Sequence, residues 1–314
     1  MPSVKITCHE AGMSILEFLA DRFTYHSRLQ WRDLICAHRL LLNQHPASPT
    51  AILWEGDTLT YFLPDLPEPA VDKDFSIVFE DDILLVVDKP ANLPCHPSGR
   101  YFEHTLTAVL KEQFGLHQAV LVNRIDRETS GLVLLAKTTE AARECRRQFE
   151  TRAVYKRYVA LVEGEFPLGK IAAVGYLARD SASPVRKKQR LYFPRLPTEI
   201  PSGAKACVTH LQRIRSHQRI SEVAAVPVTG RCHQIRATLW SLGYPVVGDK
   251  IYGIDDGMFL RFISGELDCL DRQRLRLSRQ ALHSAELHLI HPQSGKFLKF
   301  NSPVPEEMRN LMWD

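Results

Sequence analysis

The sequence predicts an α+β protein in which helices flank a mixed, largely antiparallel sheet, with a small separate α/β module at the N-terminus. Its predicted strands come in runs and hairpins rather than in strict alternation with helices, which is typical of the α+β class. A proline-rich, acidic stretch at residues 64–76 has the composition of a linker. We therefore predict a module at residues 1–63, a linker at 64–76 and a large domain at 77–314.

The first module is predicted to contain two short helices followed by short strands. Ser14 with Glu17, and Ser27 with Gln30, have the capping-box spacing, and each pair precedes a run of apolar residues at helical spacing. Short β-like runs follow at residues 40–42, 51–53 and 58–62. The acidic and basic residues of this module nearly cancel, so charge alone does not predict a ligand for it.

The large domain shows helical and strand patterns in alternating groups. Alternation and apolar runs predict strands in a hairpin at residues 77–89 with its turn at 81–82, at 131–136, at 153–164, and in pairs at 207–214 with 220–228 and at 282–290 with 296–300. Amphipathic spacing predicts helices at residues 105–114, 139–152 and 235–242, and a helix start at 305. Residues 178–203 are polar and proline-rich and predict a long loop.

The segment at residues 122–137, VNRIDRETSGLVLLAK, joins a polar loop to a continuous apolar run. Such a run suits a strand buried on both faces, and a loop anchored to it can hold one reactive group rigidly. We identify that group as Asp126, which Arg124 and Arg127 flank. Nearby arginines favour an ionised carboxylate, which can act as a nucleophile. The alternative from spacing alone is that Asp126 forms a surface ion pair or a turn.

Composition limits the classes of function. The chain has 314 residues, 45% hydrophobic and 24% charged, as expected of a globular protein. It has neither an apolar run of membrane-spanning length nor the apolar core of a signal peptide at its start, so we predict a cytoplasmic protein without membrane contact. The 7 cysteines are scattered without a C-x-x-C pair, which indicates no metal site.

Basic residues are clustered although the formal net charge is only +4. Such clusters fit a phosphate backbone, and the alternative is that they are ordinary solvated helix faces and loops. The clusters are Arg143, Arg146, Arg147, Arg152, Lys156 and Arg157; Arg186, Lys187, Lys188 and Arg190; and Arg213, Arg215 and Arg219.

Several segments, in order along the chain, resemble the RluA-type RNA pseudouridine synthases. NRIDRETSG resembles the signature H-R-L-D-x-x-T-S-G, with Asn123 in the histidine place and Ile125 in the leucine place. The runs FEDDILLVVDKPANLPCHPS, AVYKRYVALVEG and TGRCHQIRATLWSLGYPVVGDKIYG resemble further family motifs, with Thr238 near a usual histidine. The first module resembles the alpha-L RNA-binding domain through Ser27–Arg28 and residues 40–43, although the usual glycine is missing.

The resemblance implies an isomerase that converts uridine to pseudouridine in ribosomal or transfer RNA, without cofactor or metal. It implies Asp126 as nucleophile, Arg236 as its ion-pair partner and Tyr158 as a residue that packs against the base and assists loss of the C5 proton. A uridine within a helix must be flipped out, and the resemblance implies that Arg124 fills the vacated space. Further residues expected to contact RNA are His96, Gln234, Arg147, Lys156 and Arg28. We expect a monomer.

Two other functions remain open at this stage. The first is an RNA chaperone or ribosome-assembly factor that binds RNA without turnover. The second is a carboxylate-based glycoside hydrolase, which would need a second carboxylate within about 5–9 Å of the first. Glu128 is the near candidate in sequence. The sequence determines neither the target uridine nor whether Asp126 attacks the ribose or the base.

Overall fold

The structure is a computed structural model that describes residues 3–23, 26–61, 68–116 and 119–312. It divides into two compact units, one of Met1–Pro69 with Pro97–Phe102 and one of Ala70–His96 with Glu103–Asp314. Part of the predicted linker, residues 64–67, lies outside the described residues. The end of that linker differs from the prediction, because Ser76 already belongs to a strand of the second unit.

The first unit is a four-stranded antiparallel sheet with two helices, as far as it is described. Its elements are β1 (Ser3–Lys5), α1 (Ile15–Arg22), α2 (Arg28–Cys36), β2 (Leu40–Leu42), β3 (His45–Pro46) and β4 (Thr58–Tyr61). The strand order is β1-β4-β2-β3. Trp31 and Phe18 are buried in its apolar core, where the inward faces of α1 and α2 meet the sheet.

Both predicted capping boxes are present in this unit. The Ser14 hydroxyl accepts from the backbone N–H of Glu17, and the Ser27 hydroxyl accepts in the same way from Gln30. The predicted strand at residues 51–53 is reduced to an isolated bridge between Ser14 and Ile52. Strands β1 and β3 carry too few residues to show a sequence pattern, and they were not predicted.

The second unit holds a large mixed sheet with helices around it. Its elements are β5 (Ser76–Glu80), β6 (Leu84–Lys89), α3 (Leu106–Phe114), β7 (Val120–Leu121), β8 (Ser130–Ala136), α4 (Thr139–Glu150), β9 (Tyr155–Glu163), β10 (Lys170–Arg179), β11 (Gln189–Tyr192), β12 (Lys205–His217), β13 (Ile220–Pro227), α5 (Gln234–Ser241), α6 (Gly257–Ser264), α7 (Cys269–Leu275), β14 (Leu282–Ile290), β15 (Phe297–Asn301) and α8 (Glu306–Asn310).

Among the described residues the sheet has eleven strands, in the order β11-β10-β12-β13-β9-β14-β8-β6-β5, with β15 beside β14 and β7 beside β8. Only β14 with β8 is parallel, and the other pairs of this sheet are antiparallel. The predicted α+β class and the mixed, largely antiparallel sheet are therefore confirmed. Within the described chain, no helix is long and apolar enough to cross a membrane.

The segment predicted as a long loop is more ordered than its composition indicated. Residues 178–203 include the end of β10, all of β11 and a short 3-10 helix at Pro197–Glu199. The turn between the two strands is compact because Asp180 and Lys188 bond through their backbones and both are buried. Polar composition concealed this hairpin, since three of its polar residues, Asp180, Ser183 and Lys188, are buried there.

The central strand β8 is buried on both faces, as the apolar run predicted. Leu132 and Leu134 pack into one apolar cluster, and Val133 and Leu135 pack into another. At its start, Gly131 has a φ of +106°, and a Cβ there would lie 2.3 Å from the carbonyl oxygen of Ser284 in β14. Only glycine allows β14 to approach this closely, and the approach fixes the loop that precedes β8.

We predict that Gly131→Ala destabilises the second unit more than Gly164→Ala does. Gly164 has a similar φ of +88°, but a Cβ there would make an ordinary contact, 3.7 Å from Tyr244. The control therefore carries only the backbone cost, about 1–2 kcal/mol, and the clash at Gly131 should add about 1–3 kcal/mol. Urea unfolding of both variants measures the difference, and equal free energies of unfolding would contradict the close approach.

Candidate active site

Asp126 lies in the loop between β7 and β8, and buried groups hold the backbone of that loop. The Sγ of Cys95 donates to the carbonyl of Ile125 at 3.4 Å, and the Nζ of Lys89 donates to the carbonyl of Arg127 at 3.2 Å. Lys89 is fully buried, and burial lowers the pKa of its ammonium to about 8. Cys95 and Lys89 each place a donor beneath the loop. The backbone carbonyls on either side of Asp126 are therefore fixed.

A second set of contacts holds the far side of the same loop. The Nε2 of Gln280 donates to the Thr129 hydroxyl at 2.6 Å and to Oδ2 of Asp126 at 3.4 Å. The carboxylate of Glu128 accepts from Lys250 at 2.9 Å. These contacts tie the loop to the segments just before β14 and after α5, which are distant in sequence.

The carboxylate of Asp126 is bound by Arg236 from α5. Nη1 of Arg236 donates to Oδ2 of Asp126 at 2.6 Å, while Nε and Nη2 donate to the two oxygens of Asp249 at 2.6 and 2.8 Å. The side chains of Arg236 and Asp249 are buried, whereas that of Asp126 is 32% exposed. The buried carboxylate of Asp249 thus orients the guanidinium of Arg236. The guanidinium in turn orients the accessible carboxylate of Asp126.

Asp126 is held ionised. Burial alone would raise its pKa, but the charges of His233 and Arg236, with hydrogen bonds from Arg236 and Gln280, outweigh burial and lower the pKa to about 2. Burial lowers the pKa of His233 to about 4, so that ring is neutral near pH 7. At neutral pH, therefore, the cation that keeps Asp126 ionised is Arg236.

The prediction that Arg124 and Arg127 hold Asp126 ionised is wrong about the partner. Arg124 donates to Nε2 of His96 at 3.1 Å, and Arg127 pairs with Glu128 at 2.7 Å. Neighbours in a loop point in different directions, so adjacency in sequence did not give contact. Among the described residues, Arg236 is the cation within ion-pair distance of Asp126.

Tyr158 lies on β9, where its position is set by pairing with both neighbouring strands. Its partners in register are Ala225 of β13 and Ser284 of β14. The side chain is buried, and the Ser284 side chain acts on its hydroxyl. Burial, with a smaller contribution from the charge of Asp126, raises the pKa of the phenol to about 12, although the Ser284 side chain lowers it. The hydroxyl therefore keeps its proton at neutral pH.

The other predicted RNA contacts are distributed over several places. Arg124 is exposed and bonded to half-buried His96 near the loop of Asp126. Arg147 is on α4 and pairs with Glu144, and Lys156 lies over the ring of Phe149 at 5.4 Å. Arg28 begins α2 in the other unit and is exposed there.

Gln234 is buried, and its amide group is fully used within the protein. Its Oε1 accepts from the Thr229 hydroxyl at 2.8 Å and from the Arg231 N–H at 3.0 Å, and its Nε2 donates to Val208 and Thr209. The amide therefore has little capacity left for RNA, and it fixes the start of α5 instead. The sequence gives no sign that this amide, at the start of a helix, makes all of these hydrogen bonds within the protein.

Three residues of the site were not assigned from sequence: Asp249, His233 and Tyr252. All lie in the long glycine-rich run that begins TGRCHQIR, yet their roles depend on contacts that no spacing shows. Oδ1 of Asp249 accepts the backbone N–H groups of Ile251 and Tyr252. In the described parts of the chain, no group of three or more His, Cys, Asp and Glu side chains is arranged to hold a metal ion.

Comparison with known proteins agrees with this geometry. Residues 83–241 match the family described as RNA pseudouridylate synthase. The chain belongs to this family. It is 32% identical to ribosomal large subunit pseudouridine synthase D of Zymomonas mobilis over 99% of this chain and 97% of that protein. It is an RNA pseudouridine synthase, an isomerase, as its motifs predicted.

Two further relatives extend the comparison. The chain is 36% identical to the mitochondrial tRNA pseudouridine(32) synthase of Saccharomyces cerevisiae over 68% of its own length, but it spans only 45% of that protein. Among solved structures, human RNA pseudouridylate synthase domain containing 1 superposes with a TM-score of 0.57 at 25% identity, covering 76% of this chain and 86% of that one.

We predict that Arg236→Lys strongly impairs the synthase. Lysine keeps the charge but presents one compact ammonium, so it cannot bond both Asp126 and Asp249 in the observed geometry. Misplacement of this kind can cost about 10²-fold in rate. Since Arg236 helps depress the pKa of Asp126, its loss should also raise that pKa, and activity should then begin to fall at higher pH on the acid side.

The measurement is the single-turnover rate of pseudouridine formation from pH 5 to 8. Arg213→Lys is a suitable control because Arg213 pairs with Glu165, away from Asp126. An unchanged rate and pH profile in Arg236→Lys would remove Arg236 from the site.

Proposed function

We propose that this synthase isomerises uridines of ribosomal or transfer RNA, with Asp126 as the nucleophile. The observation that carries the assignment is the chain Asp249–Arg236–Asp126, which leaves one aimed and accessible carboxylate ionised at neutral pH. The reaction breaks the bond from C1′ to N1 and forms the bond from C1′ to C5, and a proton leaves C5 while N1 gains one. A transient bond to Asp126 divides this exchange into easier steps.

The uridine is expected to reach Asp126 by flipping out of its helix, at a few kcal/mol of lost stacking. Arg124 is suited to fill the space left behind because it is exposed and its planar guanidinium stacks well on bases. His96 accepts a hydrogen bond from that guanidinium at 3.1 Å. The contact restrains Arg124 beside the Asp126 loop.

Tyr158 is proposed to pack against the flipped base. A hydroxyl with a pKa near 12 is a poor proton acceptor at neutral pH, so the ring is expected to contribute more than the hydroxyl. That Tyr158 assists loss of the C5 proton stays a prediction, which Tyr158→Phe tests.

The relatives support both RNA classes as substrates. The full-length similarity is to a synthase named for the large ribosomal subunit, and the shorter one is to a synthase named for transfer RNA. Comparing pseudouridine maps of both RNA classes from cells with and without this gene tests the proposal. The predicted cytoplasmic location and monomeric state stay predictions.

Neither alternative function is favoured by the site. A chaperone without turnover has no need of an aspartate held ionised by a buried arginine. The glycoside hydrolase would need Glu128 as an acid, but Glu128 is paired with Arg127 at 2.7 Å and with Lys250 at 2.9 Å. Two basic side chains of the protein itself therefore occupy this carboxylate.

The first unit is proposed to be an RNA-binding module that adds to substrate affinity. Its resemblance to the alpha-L domain and the exposure of Arg28 on α2 support this role. The apolar core that the unit builds for itself, with Trp31 and Phe18 buried, fits a domain that folds separately.

We predict that Asp126→Asn abolishes pseudouridine formation while RNA affinity changes by less than about tenfold, or about 1.4 kcal/mol. The amide is nearly isosteric but cannot act as the nucleophile. Asp82→Asn, in the exposed turn between β5 and β6, is the matched control and should retain activity. Nucleoside analysis of RNA after incubation gives the readout, and turnover by Asp126→Asn would refute the assignment.

Tyr158→Phe should reduce turnover far less than Tyr158→Ala. Phenylalanine keeps the ring that packs and loses only a hydroxyl that stays protonated, whereas alanine also leaves a cavity in a buried position. Single-turnover rates, with circular dichroism to confirm folding, decide between the two. Equal and complete loss in both variants would instead make the hydroxyl essential for proton transfer.

A further inference from the structure

His233 lies at the start of α5, three residues before Arg236, in a conformation unusual for a side chain of its size. Its φ is 53° and ψ is 21°, the left-handed region, and it is the residue that precedes the helix. Histidine is among the few residues that tolerate this region, which still costs free energy. The His233 side chain makes no capping hydrogen bond to α5, so other contacts determine where its ring lies.

The ring is placed by Tyr252. Nδ1 of His233 lies 3.0 Å from the Tyr252 hydroxyl, and the two rings meet edge to face with centroids 5.6 Å apart. The guanidinium carbon of Arg236 lies 5.0 Å from the centre of the same tyrosine ring. Tyr252 thus holds both His233 and the arginine that binds Asp126.

These contacts determine which nitrogen of His233 carries the proton. Tyr252 is fully buried, and its hydroxyl oxygen accepts from the backbone N–H of Gln189 at 2.9 Å. The hydroxyl proton needs an acceptor, and Nδ1 of His233 is the one the described residues provide. Nδ1 is therefore unprotonated, and in the neutral ring the proton sits on Nε2.

The Nε2–H group is left available. Within the described chain it makes no hydrogen bond, and it is not among the polar atoms sealed from solvent. The ring contacts the same tyrosine as Arg236, whose Nη1 donates to Asp126 at 2.6 Å, so it lies on the Asp126 side of the site. The effect that a charged His233 would have on the pKa of Asp126 agrees with this placement. Burial, together with the charge of Arg236, keeps the ring neutral.

We infer that His233 is a further catalytic residue, whose Nε2–H, aimed by Tyr252, donates a hydrogen bond to a carbonyl oxygen of the uracil bound at Asp126. The inference rests on the proposed function of Asp126. Attack on the ribose releases the base as an anion, and attack on the ring makes an enolate. Either route puts negative charge on the carbonyl oxygens, so a fixed neutral donor assists both.

Removal of the Nε2–H donor of His233 should slow the chemical step. His233→Asn suits the left-handed backbone and keeps an acceptor on the short side chain, but it lacks the Nε2 donor. We expect its single-turnover rate at saturating enzyme to fall about 10²-fold, with the RNA dissociation constant changing less than about threefold. His217→Asn, at an exposed position in β12, is the control and should be unaffected.

The tautomer is measured separately from activity. Nitrogen-15 spectra of histidine-labelled wild-type protein should show the His233 ring protonated at Nε2 alone, assigned by its loss in His233→Asn. Tyr252→Phe keeps the ring under Arg236 but loses the hydroxyl, so this single tautomer should give way to a mixture. If His233→Asn fails to fold, the disappearance of the single tautomer in Tyr252→Phe gives the assignment.

A wild-type ring protonated at Nδ1, or an unchanged single-turnover rate in His233→Asn, would overturn the inference while leaving the role of Asp126 intact. Turnover by Asp126→Asn would instead overturn the proposed site, and the tautomer result would stand. The two failures are therefore distinguishable.

Discussion

The site depends on the ion pair between Arg236 and Asp249. Burying this pair costs desolvation free energy, which its mutual attraction offsets only with excellent geometry. The geometry here is two-pronged, and Asp249 accepts two backbone N–H groups as well. Asp249 thereby binds two nitrogens of the guanidinium, Nε and Nη2, and the third, Nη1, is directed at Asp126. The orientation of Asp126 follows from that aim, so this buried pair supplies direction more than stability.

The sheet supplies the second requirement, a well-anchored loop for the proposed nucleophile. The parallel contact between β8 and β14 brings Gly131 against the backbone of Ser284. This contact fixes the C-terminal end of the loop that carries Asp126. Lys89 and Cys95 hold its carbonyls from below. A nucleophile on so fixed a loop needs little reorganisation in the reaction, which is how electrostatic preorganisation lowers a barrier.

Long-range contacts also explain why the carboxylates near the site behave differently. Asp126 faces one arginine and solvent, Asp249 is enclosed, and Glu128 is shared between two cations. All three are paired with basic side chains, yet Asp126 is the most exposed of the three, at 32% against 0% for Asp249 and 14% for Glu128. Accessibility rather than charge distinguishes Asp126, the proposed nucleophile, from the two carboxylates beside it.

The sequence by itself determined the helix starts at Ser14 and Ser27, the doubly buried strand β8 and, through family motifs, the roles expected of Asp126, Tyr158 and Arg236. These features are written in spacings of a few residues or in runs shared with relatives. The tertiary structure decided that the flanking arginines turn away from Asp126, that Gln234 makes its hydrogen bonds within the protein, and that the His233 ring contacts Tyr252. Each of these involves at least one contact between residues 19 to 110 positions apart, and local patterns carry no information about which distant groups burial will bring together.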